Sequence, residues 1–204
     1  METSATIGGV STIAKRDFYH ALYEVARTIN STLSLPVVLN LIVESTAKAM
    51  DAKACSLRLL TPDREKLEIG AVYGLSPAYV AKGPVDVSKS QVAAEALRGK
   101  PIVVSDAFHD HRLQYQDEVM REGIASMLIV PVTVKGVSIG ILRVYTAQKR
   151  EFTPEEVEFV EAIANLGGIA IDNARTYEAL EEQFEAIRRE KIPWAENFRK
   201  PRWR

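Results

Sequence analysis

Two arginines carry the chemistry in this 204-residue chain. Arg58 lies in an apolar run from Ala54 to Leu60, and Arg143 in a second run that ends at Tyr145. Side chains alternate along a strand, so Ser56, Arg58 and Leu60 share one face while Cys55, Leu57 and Leu59 share the other. In the second run Ile141, Arg143 and Tyr145 share a face opposite Leu142 and Val144. A guanidinium is a planar fork of donors that grips a carboxylate or phosphate bidentately. Held away from water it needs an anionic partner, because unpaired buried charge is costly. That partner is either a bound ligand or an acid of the chain such as Glu68 or Asp106. The remaining option is simple exposure of both arginines.

Other residues with chemical potential are fewer. His109-Asp110-His111, with Asp106 nearby, has two imidazoles and carboxylates that could ligate a metal, but in a polar loop they read as solvated side chains. We expect no metal and no cofactor. Cys55 is the only cysteine, so no internal disulfide forms and a reducing compartment is expected. Within a strand it reads as a packing residue. No nucleophile–base pair or phosphate-cradling glycine loop accompanies the arginines, and no catalysis is expected.

The elements that must position these side chains are legible. Asp17 opens a helix whose apolar positions are Phe18, Leu22, Val25 and Ile29. Ser34 caps a second helix, with Pro36 in its first turn, running to about Met50. Ala54–Leu60 and Leu67–Tyr73 form a hairpin around Pro62-Asp63. A loop with a helical turn at Pro77 leads to a short helix over Ser88–Arg98, and Ile102–Val104 is a short strand. A helix over Asp117–Glu122 stops at Gly123. Two apolar strands between Ser126 and Tyr145 then meet at a Lys135-Gly136 turn.

The last helix has the clearest start. Thr153 caps it, Pro154 takes the first helical position and Glu156 completes a capping box. Val157, Val160, Ala164, Gly167, Ile171 and Ala174 make its stripe, continued by Tyr177, Leu180, Phe184 and Ile187 after a phase slip. Such sustained spacing predicts a coiled-coil-like seam whose outer half packs on a second subunit together with the first helix. Gly167-Gly168 within it predicts close approach to the sheet or another helix.

Composition is that of a soluble globular protein, with a net charge of −1 that argues against a polyelectrolyte partner for the whole chain. No apolar run reaches membrane-spanning length, and Met1 to Ser11 lacks the pattern of a signal peptide. Residues 188–204 hold seven basic and two acidic residues, net +5, which leaves −6 for the rest. Trp194, Phe198 and Trp203 are interleaved with these charges, and the segment is expected to dock on protein rather than on nucleic acid or membrane.

The hairpin from Ser126 to Tyr145 with Phe152-Thr-Pro-Glu-Glu156 resembles the closing hairpin and final helix of GAF domains, the small-molecule sensor modules of signalling proteins. Asp51-Ala-Lys-Ala-Cys-Ser-Leu57, Gly99-Lys-Pro-Ile-Val-Val-Ser-Asp106, Gly123-Ile-Ala-Ser126 and Ile169-Ala-Ile-Asp-Asn-Ala-Arg-Thr-Tyr177 extend the resemblance over about residues 17–180. It implies an α+β fold: a central antiparallel sheet of five or six strands, terminal helices on one face, and a pocket with short helices and loops on the other. The organisation expected is a flexible 1–15, one GAF domain over 16–187, and a basic aromatic tail over 188–204. The family's sheet order sets the strands of Arg58 and Arg143 side by side at the centre. Both arginines would then point into the pocket, with Tyr73, Gln91, His109, Tyr115 and Tyr145 around them.

The resemblance also narrows the ligand. Cyclic-nucleotide-binding members carry an Asn-Lys, then a Phe followed after three residues by Asp-Glu. Here Phe152 and Glu156 keep that spacing, but Val157 replaces the final Glu and the Asn-Lys is missing. Bilin-binding members need a cysteine in a pocket loop, and methionine-sulfoxide-reductase members need more than one cysteine. The function expected is a non-catalytic cytoplasmic sensor that dimerises through its terminal helices, binds a small anionic ligand and signals in trans. The alternative is a ligand-free adaptor that uses the same fold for dimerisation and protein contacts.

Overall fold

The computed structural model describes residues 7–191, with side chains described from 17 to 188. Six strands form one antiparallel sheet in the order β3-β2-β1-β6-β5-β4. They are β1 (Ala54–Leu60), β2 (Lys66–Tyr73), β3 (Val85–Asp86), β4 (Ile102–Val104), β5 (Ser126–Val134) and β6 (Val137–Thr146). β1 and β6 are the central pair. β5 and β6 meet at a tight turn in which Lys135 and Gly136 both take positive φ, 50° and 79°.

Three long helices cover one face: α1 (Ile7–Ser31), α2 (Leu35–Ala49) and α6 (Pro154–Lys191). The apolar sides of the central strands meet them. Cys55 and Leu57 of β1 and Leu142 and Val144 of β6 share a core with Val25, Ile42, Val160 and Ile163. Phe18 of α1 stacks on Phe159 of α6 with ring centroids 4.2 Å apart. The capping box forms as expected. Glu156 N donates to Thr153 Oγ1 at 3.3 Å, and Thr153 N donates to the Glu156 carboxylate at 2.9 Å. At Gly168, α6 comes so close to β5 that an added Cβ would lie 2.1 Å from the Thr133 carbonyl oxygen. This accounts for a glycine that otherwise weakens the helix.

The opposite face carries α3 (Pro77–Val80), α4 (Gln91–Ala96), α5 (Gln116–Arg121) and their loops. Tyr79, Val92, Ala93, Val119 and Leu113 pack there on Ala54, Met127, Ile129, Ile141 and Tyr145 of the sheet.

Some boundaries differ from expectation. α1 begins at Ile7, within the stretch expected to be flexible. β3, expected as loop, pairs Lys66 with Asp86 and Leu67 with Val85, and two residues are too few for alternation to register. α4 starts only after Ser90, whose extended backbone delays the helix, and neither Ser90 nor Ser34 makes a side-chain cap bond. α6 runs on to Lys191, and Trp194, Phe198 and Trp203 lie outside the described residues. Among the described residues no helix is long and apolar enough to cross a membrane.

Candidate functional site

The site is built on the register of the central pair. Ser56 stands opposite Arg143, Arg58 opposite Ile141 and Ala54 opposite Tyr145. Arg58 and Arg143 are therefore diagonal neighbours on the face away from the long helices, a geometry in which long side chains reach each other. Gly140 lets the strands close up at this point, since a Cβ there would lie 2.3 Å from the Arg58 carbonyl oxygen.

Both arginines are buried, at 0% and 4% exposure. Arg58 Nη1 donates to the Leu67 carbonyl at 3.2 Å. Nε and Nη2 of Arg58, and Nε and Nη2 of Arg143, are shielded from solvent and have no hydrogen-bond partner. Neither internal acid foreseen in the sequence answers them. Glu68 is exposed on β2, and Asp106 pairs with Lys149 and with His109 Nδ1, the latter at 3.0 Å. Burial pulls the Arg58 guanidinium below its ordinary value; Tyr145 opposes the shift and the Arg143 charge adds to it.

Tyrosines and a third cation surround the pair. Tyr145 is wholly buried and its hydroxyl lies 2.9 Å from Ser56 Oγ. Tyr79 of α3 meets the Tyr145 ring edge-on at 6.1 Å, and its hydroxyl is buried without a partner. Burial pushes that phenol above its ordinary value. Lys82 folds back over Tyr79 with Nζ 3.2 Å from the ring centroid, and 5.1 Å from that of Tyr115. Its ammonium is pushed down to about 6, first by burial and then by Arg58 and Arg143, against a weaker pull from Glu118 and Glu122.

The roof is fixed from the side. Ser76 caps α3 by accepting from Tyr79 N at 3.2 Å, and both Ser76 N and Oγ donate to Glu122 at the end of α5. Tyr115, ahead of α5, ties the roof to the next loop by donating to the Pro84 carbonyl at 2.8 Å.

The structure brings together Arg58, Arg143 and Tyr145, with Tyr115 at the rim. It sets three expected residues elsewhere. Tyr73 packs on the long-helix core. The β1–β2 register shifts between Leu57 and Arg58, pairing them with Ala71 and Ile69, so Gly70 is an extra residue. That bulge turns Ala71 and Tyr73 to the other face. Gln91 is exposed and donates to Glu95 at 2.9 Å. His109 is 80% exposed on its loop beside Asp106. Among the described residues no three metal-ligating side chains converge. Cys55 is buried in the long-helix core, where burial raises its thiol, so it faces away from the arginines.

Tyr79 and Lys82 were not foreseen. Tyr79 sits in the single turn of α3 and Lys82 two residues beyond it, a stretch too short for periodicity to register. The one signal was Ser76-Pro77, a helix start that would have placed Tyr79 two positions into a turn.

Known proteins resemble this chain in family and fold. A family model described as GAF domain matches residues 32–172. A methyl sulfide methyltransferase-associated sensor from Methanosarcina acetivorans is 27% identical over 163 residues, which cover 78% of this chain and 16% of that protein. The chain thus spans less than a fifth of that curated relative. Among solved structures, the GAF domain of a phosphoenolpyruvate-protein phosphotransferase from Coxiella burnetii superposes with a TM-score of 0.71 at 24% identity, covering 80% of this chain and 98% of that one. A free methionine-R-sulfoxide reductase from Neisseria meningitidis superposes with a TM-score of 0.68 at 14% identity, covering 87% and 98%. At these identities the structural likenesses speak for the fold alone.

Proposed function

This chain belongs to the GAF domain family, and we propose that it binds a small anionic ligand between its central strands and the α3–α5 roof. The observation that carries the reading is the pair of buried guanidiniums with unpartnered N–H groups. Such groups cost free energy until an acceptor meets them, and a carboxylate or phosphate supplies acceptors and charge together. The role is sensing rather than catalysis: the arginines lie among tyrosines and a lysine, and the lone cysteine lies behind the sheet. A buried single cysteine accords with a reducing, cytoplasmic setting.

Output runs through α6. Arg143 lies on β6, β6 pairs with β5 along its length, and α6 rests on β5 at Gly168. A ligand that draws Arg143 towards it acts on the strand that carries the long helix. On the far half of α6, Leu180, Phe184 and Ile187 are exposed, as are Tyr19 and Tyr23 of α1. These faces pair with a second copy of the chain, and a partner protein reads the change through α6 or the 188–204 segment.

The same exposed stripe favours a second reading, an adaptor that keeps the fold without a ligand. Native mass spectrometry of gently purified protein, before and after acid denaturation, separates the two. A dimer that releases a stoichiometric small anion, absent from Arg143→Ala, supports the sensor. A ligand-free dimer unchanged in mass by Arg143→Ala supports the adaptor.

A further inference from the structure

The proposed site holds more positive charge than a singly charged anion neutralises. Arg58 and Arg143 both leave the same edge of the guanidinium free, the Nε–Nη2 fork that takes two oxygens of one anionic group. Lys82 adds a third cation from the roof, within the influence of both arginines. The Tyr79 hydroxyl adds another unpartnered group. No acid among the described residues forms an ion pair with Arg58, Arg143 or Lys82.

We propose that the ligand is a small dianion, held by one guanidinium fork at each end or across both, and that Lys82 closes over it as a third, ligand-recruited cation. This rests on the anion-sensor reading above and specifies its charge. Lys82 faces Arg58 on β1, Arg143 on β6, Tyr79 on α3, Tyr115 before α5, and Glu118 and Glu122 on and after α5. Without ligand, burial and then the two arginines oppose its ammonium. With a dianion beside it the sign of the local field reverses and the ammonium is favoured, so binding above about pH 6 takes up a proton at Nζ. Affinity then rises as pH falls towards that value and levels off below it. Lys82 is also the link to the roof, because it sits two residues beyond α3, and its capture fastens α3 where it already packs on the sheet.

The test titrates isotope-labelled full-length protein with sulfate and succinate as dianions, and with nitrate and acetate as monoanions, following backbone amide NMR shifts of residues 79–83. We expect each dianion to bind at least about tenfold tighter than its monoanionic counterpart, a factor that corresponds to about 1.4 kcal/mol. Sulfate keeps its charge between pH 6 and 8, and its affinity should fall several-fold across that range in the wild type. In Lys82→Ala it should be weak and flat, and in Lys82→Arg flat because the guanidinium stays charged. Stronger binding of sulfate than of succinate assigns an oxyanion, and the reverse a dicarboxylate. Monoanions that bind as well as dianions overturn the dianion inference and leave the sensor reading standing. A pH dependence that survives Lys82→Ala overturns the role of Lys82. Shifts that are absent with every anion, or unaltered by Arg143→Ala, overturn both readings.

Discussion

The Tyr145 hydroxyl lies 2.9 Å from Ser56 Oγ, across the two central strands and wholly shielded from water. The pair links β6 to β1 beside the two arginines, and each hydroxyl depends on the other. Tyr145→Phe leaves the Ser56 hydroxyl buried and unpaired, and should lower stability by about 1–3 kcal/mol in urea denaturation. The double variant Tyr145→Phe, Ser56→Ala should recover part of that loss. A double variant that loses the sum of the two single changes would show that the hydroxyls act independently.

Lys82 makes stability depend on pH in a defined direction. Its folded-state value is depressed to about 6 from an ordinary 10.5, so between these limits the unfolded chain binds more protons than the folded one. Stability therefore rises with pH through this window and is flat with respect to Lys82 below it. A full proton gives about 1.4 kcal/mol per pH unit, and partial exposure of Lys82 narrows the window over which it acts. Lys82→Met should remove the rise and be more stable than wild type at pH 7. Thermal denaturation from pH 6 to 9 in a series of buffers checks this, and an equal slope in the variant would refute it.

The contact of α6 with the sheet is one of backbone on backbone at Gly168 and Thr133. Gly168→Ala gains helix propensity of roughly 1 kcal/mol. It meets a carbonyl oxygen that cannot move without disturbing β5, an overpacking that costs about 1–3 kcal/mol. The net expected is a loss of stability, visible as a lowered midpoint in thermal unfolding. A gain would show that α6 lifts off the strand freely.

The outer half of α6 presents Leu180, Phe184 and Ile187 to solvent in a single protomer. A second copy covering this stripe predicts a dimer whose dissociation is favoured by Phe184→Glu, which places a charge in the seam. Sedimentation velocity should find the wild type dimeric and the variant shifted to monomer at micromolar concentration. The variant should retain the wild-type sheet and arginine site by circular dichroism and anion titration, since Phe184 lies beyond the last core contact of α6 at Ala174.

Much of the fold was legible because each element carried its own local signal. The Thr153–Glu156 capping box, the Lys135-Gly136 turn and the alternation of Ala54–Leu60 are short-range patterns, and all three appear in the structure. The same alternation set the apolar faces of β1 and β6 towards the long helices and the arginines away from them. Tyr73, expected around the arginines, lies on the other face. One extra residue at Gly70 inverts the phase of β2 beyond it, and a bulge is specified by the partner strand rather than by the strand's own pattern. Gln91 and His109 lie elsewhere for a different reason, since exposed side chains follow nearby partners, here Glu95 one turn along α4 and Asp106 in the same loop.

The sequence by itself determined every element except the two-residue β3, which sides of the central strands are apolar, and that two arginines share the other side. Periodicity and capping act over a few residues, so they survive without knowledge of the partners. Only the tertiary structure decided that those arginines go unpaired, and that Lys82 and Tyr79 lie over them. That depends on where the Ser76–Val80 turn is held against α5 by Glu122, 46 residues further along the chain. Charge balance in a buried site is a property of everything that converges on it, and convergence of distant segments is what a linear pattern does not encode.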